Sequence, residues 1–532
     1  MVGMILVSAA FVFFGAPGNS GDWDAPGEGS IGIALDRGLL WVADRKAVTA
    51  TALDPLTGAA VRTVKLPCRE TGGLAAGEGK LWCSEVLQNL LFEVDAATGM
   101  TSKRMEAPCD YPGALAYEGG LLWVHCPFEK KISVTDPADG TTLRWVPAVS
   151  RRMSALGAGG GYVLAADKEK DRVFMLDPER GNVLAVLQAG SPNVTGLAFD
   201  GRRLYTVDYL TDRGRTLDLD KSPPFAIEGS QDASVTFRHH VLSGGPAPLT
   251  DVNVFVALPE DRITQKVHSL VPLPPGADVQ EVADKQGQRF WKFHLDQLPA
   301  GQEATFGYTA DVTLKTVRWF TDPRRSGTAK DIPADIRAKY LGDGTKYQVK
   351  DPAVVAAARG IAGESRNLHL VFQRTYRFVL DNMDYALSGG WNAAPLLLER
   401  KNGSCSEYTF LLIALLRASG IPARYVGSLV MRGDPASVDL VFHRWAEAYL
   451  PGLGWFPVDA NRGDTEWPSD QADGFGFQDG VFLVTTESSG DSDILEWGYN
   501  SVARYRHEGP AEVREWTSAE WEPPSGDSGG AP

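Results

Sequence analysis

The spacing of apolar positions changes three times along the chain. From about Ile31 to Ile227, apolar and polar residues alternate in short runs separated by Gly and Asp-Pro turns, the pattern of strands with one buried face. These runs repeat. Trp41, Trp82 and Trp123 are 41 residues apart, and the same step reaches Leu164 and Tyr205. Asp54, Asp95, Asp136, Asp177 and Asp218 keep that period, as do Gly58, Gly99, Gly140 and Gly181. A period of this length with several short strands per unit predicts the blades of a β-propeller, about five of them, over residues 24–227. The aspartates cap the turn that returns the chain and carry no catalytic role.

Further alternating runs at Ser234–Val241, Val252–Ala257, Phe290–His294 and Ala304–Val312 are separated by turn clusters such as Gly244-Gly245-Pro246. They predict a β-sandwich of roughly seven short strands over residues 229–322. His239, His240, His268 and His294 fall on its strands, with surface positions expected. A polar linker is expected over 323–350. The period then lengthens to that of a helix at Pro352–Ala362, at Leu368–Leu380 and from Cys405 onward, where Phe410, Leu411, Ala414, Leu415 and Ala418 define one buried face. Ser404 is a suitable N-cap, and Gly420 and Pro422 stop this helix. Ala423–Val430, His443–Tyr449 and Trp455–Asp459 read as strands, with His443, Trp445, Glu447 and Tyr449 on one face. The expected architecture is therefore multidomain: an all-β propeller, a β-sandwich, then an α+β domain over 351–500, with a disordered tail over 517–532.

The N-terminus carries an apolar run, Met4–Phe14, followed by small residues. It is too short to span a bilayer and fits the core of an export signal over 1–18, although a basic leading segment is missing. No cysteine follows it, so no lipid anchor is expected, and the expected location is periplasmic or extracellular. Cysteine usage agrees. Cys68 and Cys109 enter the second and third repeats, and Cys83 and Cys126 end the second strand of each. In an antiparallel blade these points share a face, which predicts Cys68–Cys83 and Cys109–Cys126 disulfides. A zinc site of four thiolates is the alternative, and no C-x-x-C pair supports it. His125 reads as a loop residue. The formal charge of −15, with no basic stripe, excludes a nucleic-acid partner.

The fifth cysteine, Cys405, is left unpaired at a helix start, where the helix dipole favours thiolate. His443 and Asp459 follow in the order of a Cys-His-Asp triad, with Asp459 placed to fix the imidazole tautomer. Each alone has an ordinary structural role: a small buried thiol, a packed histidine, a strand-end cap. Together with Gly-Ser-Cys at 403–405, His-Arg-Trp-Ala-Glu-Ala-Tyr at 443–449 and Gly-Trp-Phe-Pro-Val-Asp at 454–459, they resemble the transglutaminase-like superfamily. The resemblance covers about 150 residues, Asp351 to Gly498. The repeats similarly resemble β-propeller repeats with an Asp-Pro-x-Thr-Gly turn, and a sandwich often precedes bacterial transglutaminase-like domains.

The resemblance implies a papain-like cysteine enzyme with Cys405 as nucleophile, His443 as base and then acid, and Asp459 as orienting acid. The Cys405 N–H is the expected oxyanion donor, and Trp391, Trp445 and Trp455 are candidates to line the cleft. His369 is assigned to packing. No metal or cofactor is implied. The expected partners are a protein or peptide substrate and an unidentified propeller ligand. Hydrolysis, as a peptidase or deamidase, is the favoured outcome. Amine transfer onto protein glutamine is the alternative, and a catalytically inactive binding protein the third.

Overall fold

The computed structural model describes residues 21–387 and 390–523, so the expected export signal lies outside the described residues. The chain divides into two compact units, Met1–Pro223 and Pro224–Pro532.

The first unit is built from five four-stranded antiparallel sheets. The first consists of Ser30–Asp36, Leu39–Asp44, Thr49–Leu53 and Ala60–Lys65, ordered as in the sequence, and the next three repeat it. The first strands of the sheets pack side by side in a closed cycle, Ser30–Asp36 on Thr71–Gly77, then Leu115–Glu118, Met153–Gly159, Val194–Phe199 and back to Ser30–Asp36. Glycine makes this approach possible: a Cβ on Gly32 or Gly73 would sit 2.6 Å from the backbone nitrogen of the next strand. This many-stranded ring is consistent with a propeller. Trp41, Trp82, Trp123 and Tyr205 are buried between the sheets. Asp54 accepts from the N–H groups of Leu56 and Thr57 at 2.8 and 3.0 Å, and Asp95 does the same for Ala97 and Thr98. Gly58 and Gly99, both at φ +73°, complete these turns in a conformation that L side chains rarely adopt.

The fifth sheet is completed from the other end of the unit. Gly21–Asp24 pairs antiparallel with Arg213–Asp218. A segment preceding the first repeat thus supplies the last strand, and the unit begins before the expected boundary at residue 24. The two disulfides join Cys68 to Cys83 and Cys109 to Cys126, with Cα separations of 6.4 and 5.9 Å. His125 is not in a loop: it lies within the strand Leu121–Cys126, is buried, and burial lowers its pKa to about 4.

The second unit contains two further antiparallel sheets that share one apolar core. One contains Gln265–Leu273, Glu303–Trp319, Phe225–Pro246, Ala511–Glu522 and Val438–Asp439 in that order, and the other Gln280–Ala283, Arg289–Leu298, Leu249–Ala257 and Ser501–Arg506. Val235, Phe237, Val254, Phe293, Tyr308 and Trp521 meet in the core between them.

Several expectations are corrected here. Two of the strands are long, 22 and 17 residues, rather than short. Phe225–Pro246 runs through the expected boundary at 227–229. The expected tail from 517 is instead a strand as far as Glu522, paired with Phe225–Pro246 because Ala519 and Trp521 have apolar partners there. The segment 323–350 is not a free linker: it forms two short 3-10 turns and the helix Ala334–Tyr340, and it buries Tyr340 and Tyr347. His239 is buried rather than on the surface, its Nδ1 2.7 Å from the Ser501 hydroxyl.

Beside these sheets lies an α+β core. Helices α1 (Pro352–Ala362), α2 (Leu368–Asn382) and α3 (Cys405–Ala418) pack together. Helix α3 lies on an antiparallel sheet of β1 (Ala423–Val430), β2 (His443–Leu450), β3 (Gly454–Val458) and β4 (Phe482–Ser488), ordered β3-β2-β1-β4. Helix α3 is almost wholly buried, so its polar residues occupy built positions. Arg417, for example, donates to the carbonyls of Ala423, Gly342 and Ser489.

Candidate active site

Helix α3 begins at a tightly held turn. The Glu407 carboxylate accepts from the Ser404 N–H at 3.0 Å and from its hydroxyl at 2.6 Å, and the Ser404 side chain accepts from the N–H of Glu407. This reciprocal capping box fixes the residue before the cysteine. Glu407 is fully buried and also accepts from the Asn392 N–H at 3.3 Å. Gly403 leaves room for it, since a Cβ there would lie 2.3 Å from that of Glu407. Cys405 therefore enters the first helical turn with its backbone fixed, and it remains partly exposed.

His443 opens β2, delivered by a loop anchored on Asp439. This fully buried carboxylate accepts from the N–H of Val430 at 2.8 Å, of Phe442 at 3.1 Å and of Val441 at 3.3 Å, and from Nε of Arg432 at 3.0 Å. Asp459 follows directly on β3. Its Oδ2 lies 2.6 Å from Nε2 of His443, and its Oδ1 accepts from the Arg462 N–H at 3.0 Å. With Nε2 bonded to Asp459, Nδ1 is the ring nitrogen that meets the hydrogen-bonded Cys405 sulfur.

The charges follow from these contacts. Burial disfavours imidazolium, but the charge and hydrogen bond of Asp459, together with Cys405, outweigh it and raise His443 to about 10. Burial likewise disfavours thiolate at Cys405. The hydrogen bond and charge of His443, and the charge and backbone N–H of Arg444, outweigh that and bring the thiol below its usual value. Asp459 is held below the usual carboxylate range, burial being overcome by His443 and by the Arg462 N–H. These shifts favour the charged forms, thiolate on Cys405 and imidazolium on His443, with the Asp459 carboxylate behind them.

The three candidate cleft tryptophans have different surroundings. Trp391, at φ +55°, is 38% exposed and packs its ring on Arg444. Trp445 is buried beside His443, ring centres 5.9 Å apart, and against Phe482. Trp455 packs on Arg424, Tyr449 and Tyr340. His369 is fully buried in α2, beside Phe372. Among the described residues, Cys109, Cys126 and Glu129 are close enough to ligate a metal together, but both sulfurs are bonded to each other.

A free thiol at a helix start, a histidine on the adjoining strand and a carboxylate at the end of the next define a thiol–imidazole–carboxylate site on an α+β core. Residues 355–460, which contain all three groups, match the model of the transglutaminase-like superfamily, so this part of the chain is a transglutaminase-like domain. A protein-glutamine gamma-glutamyltransferase of Pseudomonas aeruginosa is 32% identical over 117 residues, covering 19% of this chain and 18% of that one. This chain thus spans less than a fifth of that relative's length. Among solved structures, a candidate cysteine protease from Cytophaga hutchinsonii is similar at 18% identity and a TM-score of 0.37, covering 55% of this chain and 99% of the other. A glutaminyl cyclase of Myxococcus xanthus is similar at 17% identity and a TM-score of 0.33, covering 37% and 93%.

Residues that sequence reasoning passed over include Glu407, Asp439 and Arg444. The Ser404-x-x-Glu407 capping-box spacing was a readable signal. Nothing local to Asp439 or Arg444 separates them from solvated charges.

Proposed function

We propose that this protein is a cysteine enzyme acting on protein amide bonds, with Cys405 as nucleophile, His443 as base and acid, and Asp459 as the group orienting His443. The observation that carries this reading is the hydrogen-bonded series from Cys405 through His443 to Asp459 at a partly exposed helix start. The thiolate attacks the amide carbonyl carbon. The imidazolium then gives its proton to the departing nitrogen as the C–N bond breaks, leaving a thioester. In the second step His443 takes a proton from water, the oxygen attacks the thioester, and the C–S bond breaks with its electron pair returning to sulfur. The acid product and the starting pair result. The Cys405 N–H is the expected donor to the oxyanion in both steps.

Hydrolysis is the favoured fate, because the partial exposure of Cys405 lets water approach the thioester. Amine transfer is the second reading, favoured by the likeness to a protein-glutamine gamma-glutamyltransferase. The five sheets of the first unit are read as propeller blades that recognise a ligand, and the paired sheets of the second as a β-sandwich that spaces or presents substrate. The apolar run Met4–Phe14 and the two disulfides support a reading of the protein as exported.

The test has two stages. Iodoacetamide labelling of Cys405 is followed by mass spectrometry against pH in the wild type and in His443→Ala. Fast labelling near pH 6 that collapses in the variant supports the enzyme, while slow labelling indifferent to His443 overturns it and leaves a binding protein. Glutamine-containing protein with and without a primary amine is then supplied. Ammonia or new termini without amine incorporation mean hydrolysis, and incorporated amine means transfer.

A further inference from the structure

Between Val430, which ends β1, and His443, which opens β2, the chain inverts the usual distribution of side chains. Asp439 is 0% exposed and Phe442 9%, while Leu440 and Val441 between them are 67% and 61% exposed. The carboxylate is inside and two branched apolar side chains are in water. This arrangement is held from several sides. Asp439 accepts from the N–H groups of Val430, Val441 and Phe442 and from Nε of Arg432, and it pairs with Ala519 on the strand Ala511–Glu522. Phe442, at φ +53°, sits in the apolar core with its ring centre 5.9 Å from that of Phe237. Leu440 and Val441 are therefore kept at the surface three and two residues before His443.

A second group of exposed apolar side chains flanks the thiol. Tyr385 is 50% exposed and pairs with Gly403, two residues before Cys405, and the Ala386 N–H donates to the Gly403 carbonyl at 2.8 Å. Trp391, partly exposed at φ +55°, precedes Asn392, whose N–H is taken by Glu407. The centre of its ring lies 5.1 Å from the guanidinium carbon of Arg444, the residue after His443. The two segments meet at the start of α3, where the Thr409 hydroxyl is 2.7 Å from the Cys405 carbonyl and 3.3 Å from that of Arg444. Exposed apolar side chains thus border both the thiol and the imidazole, on backbone fixed by two buried carboxylates, Asp439 and Glu407.

We propose that Tyr385, Trp391, Leu440 and Val441 form a rim that selects the substrate, and that the rim takes a polypeptide segment with bulky aliphatic or aromatic side chains next to the reacting amide. This names the substrate class of the cysteine-enzyme reading and rests on it. Single exposed apolar residues are ordinary, but four beside one nucleophile carry a hydration cost that serine or lysine at the same positions would remove. A polypeptide whose carbonyl reaches the Cys405 sulfur has to lie against the residues that flank Cys405 and His443, and its side chains then cover this surface. Fixed backbone on both sides reduces the ordering cost of that contact. None of the four carries a charge, so the rim offers no ion pair to an acidic or basic side chain. Selection works by burial, and a leucine should be preferred to a serine by about tenfold or more.

The experiment compares rates of Cys405 labelling in the full chain, read by mass spectrometry. Two pairs of probes are used, an acetyl-dipeptide chloromethyl ketone and a chloroacetyl-dipeptide amide, each in a dileucyl and a diseryl form. In all four the thiolate displaces chloride. Iodoacetamide, which has no side chain to seat, reports the thiol itself, and every probe rate is divided by the iodoacetamide rate of the same protein. In wild type the dileucyl form of at least one pair should label about tenfold faster than its diseryl form. That ratio should fall below about threefold in Leu440→Ser/Val441→Ser or in Tyr385→Ser, substitutions at exposed positions. A merely structural rim would leave the ratio where it is. A wild-type ratio under about threefold in both pairs, or one that survives both variants, overturns the proposal, and the wild-type ratio decides alone should a variant fail to fold. A wild type that sediments as a dimer, with a monomeric Leu440→Ser/Val441→Ser variant of unchanged ratio, shows a surface for a second copy of this chain and also overturns it. Fast, His443-dependent iodoacetamide labelling without an apolar preference rejects this inference alone. Slow labelling indifferent to His443 rejects the enzyme reading itself.

Discussion

Oδ2 of Asp459 lies 2.6 Å from Nε2 of His443, and that single bond decides which ring nitrogen meets the Cys405 sulfur. Asp459→Asn keeps the size and a hydrogen bond but removes the charge and can hold the wrong tautomer. Turnover should fall by about 10³–10⁴, the scale of the corresponding change in a serine triad. Stability should move far less than activity. Steady-state rates alongside urea unfolding check this: a variant within tenfold of wild type would mean that Asp459 does not orient the histidine.

In the proposed mechanism the reactive form is the thiolate with imidazolium, which sets the pH window. His443 is raised to about 10, so the stability it contributes is complete below its unfolded value of ~6.5 and is lost as pH rises through about 10. Cys405 is lowered, so the thiolate appears below the ~8.5 of a free thiol. Turnover is therefore expected to rise on an acid limb below that value, hold a plateau, and fall near pH 10 as the general acid is lost. A rate profile measured on a folded, pH-stable sample checks it. An alkylation rate still climbing through pH 9 like a free thiol would contradict the ion pair.

Glu447 anchors the strand that carries His443. It is buried, accepts from Nη2 and Nε of Arg424 at 2.7 and 2.9 Å, and also pairs with Arg262. Burial works against its charge, yet the two guanidiniums hold it below the usual carboxylate range. Glu447→Gln leaves both cations short of counter-charge. A loss of about 3 kcal/mol is expected, toward the low end for breaking a buried pair because Glu487 still reaches both. Because the carboxylate is lowered, its contribution is present at neutral pH and disappears on acidification. Urea midpoints at pH 7 and pH 4 should therefore differ less in the variant than in wild type.

What the sequence revealed depended on how locally each feature is encoded. The 41-residue step is visible because every sheet solves the same packing problem with the same Trp, Asp and Gly at the same offsets. Cys405, His443 and Asp459 stand out because a helix start and two strand ends must hold particular atoms. Pairings between distant segments leave no such mark. Ser501–Arg506 pairs with Leu249–Ala257, and Ala511–Glu522 with Phe225–Pro246, strands far earlier in the chain, and nothing in their own pattern names those partners. Arg444 was unreadable for a related reason. An arginine in a strand is ordinarily solvated, and only the convergence of Trp391, Phe410, Tyr425 and Tyr499 from four segments makes it a buried charge.

The closing strand of the first unit supplies the last prediction. Gly21–Asp24 pairs with Arg213–Asp218, and Trp23 sits against Gly214, its opposite in register. A Cβ on Gly214 would come 2.0 Å from the Trp23 ring, so the aromatic plate and the missing side chain are matched. Trp23 also packs against the apolar cluster of Ile33, Leu40, Val42 and Tyr205, which joins the first sheet to the fifth. Gly214→Ala should therefore displace the strand and cost about 1–3 kcal/mol, in the range of overpacking. Trp23→Ala should cost about 3 kcal/mol from lost burial. The double variant should lose less than the sum, because removing the ring removes the clash. Unfolding of the four proteins measures that coupling directly, and strictly additive losses would mean that Trp23 does not lie over Gly214.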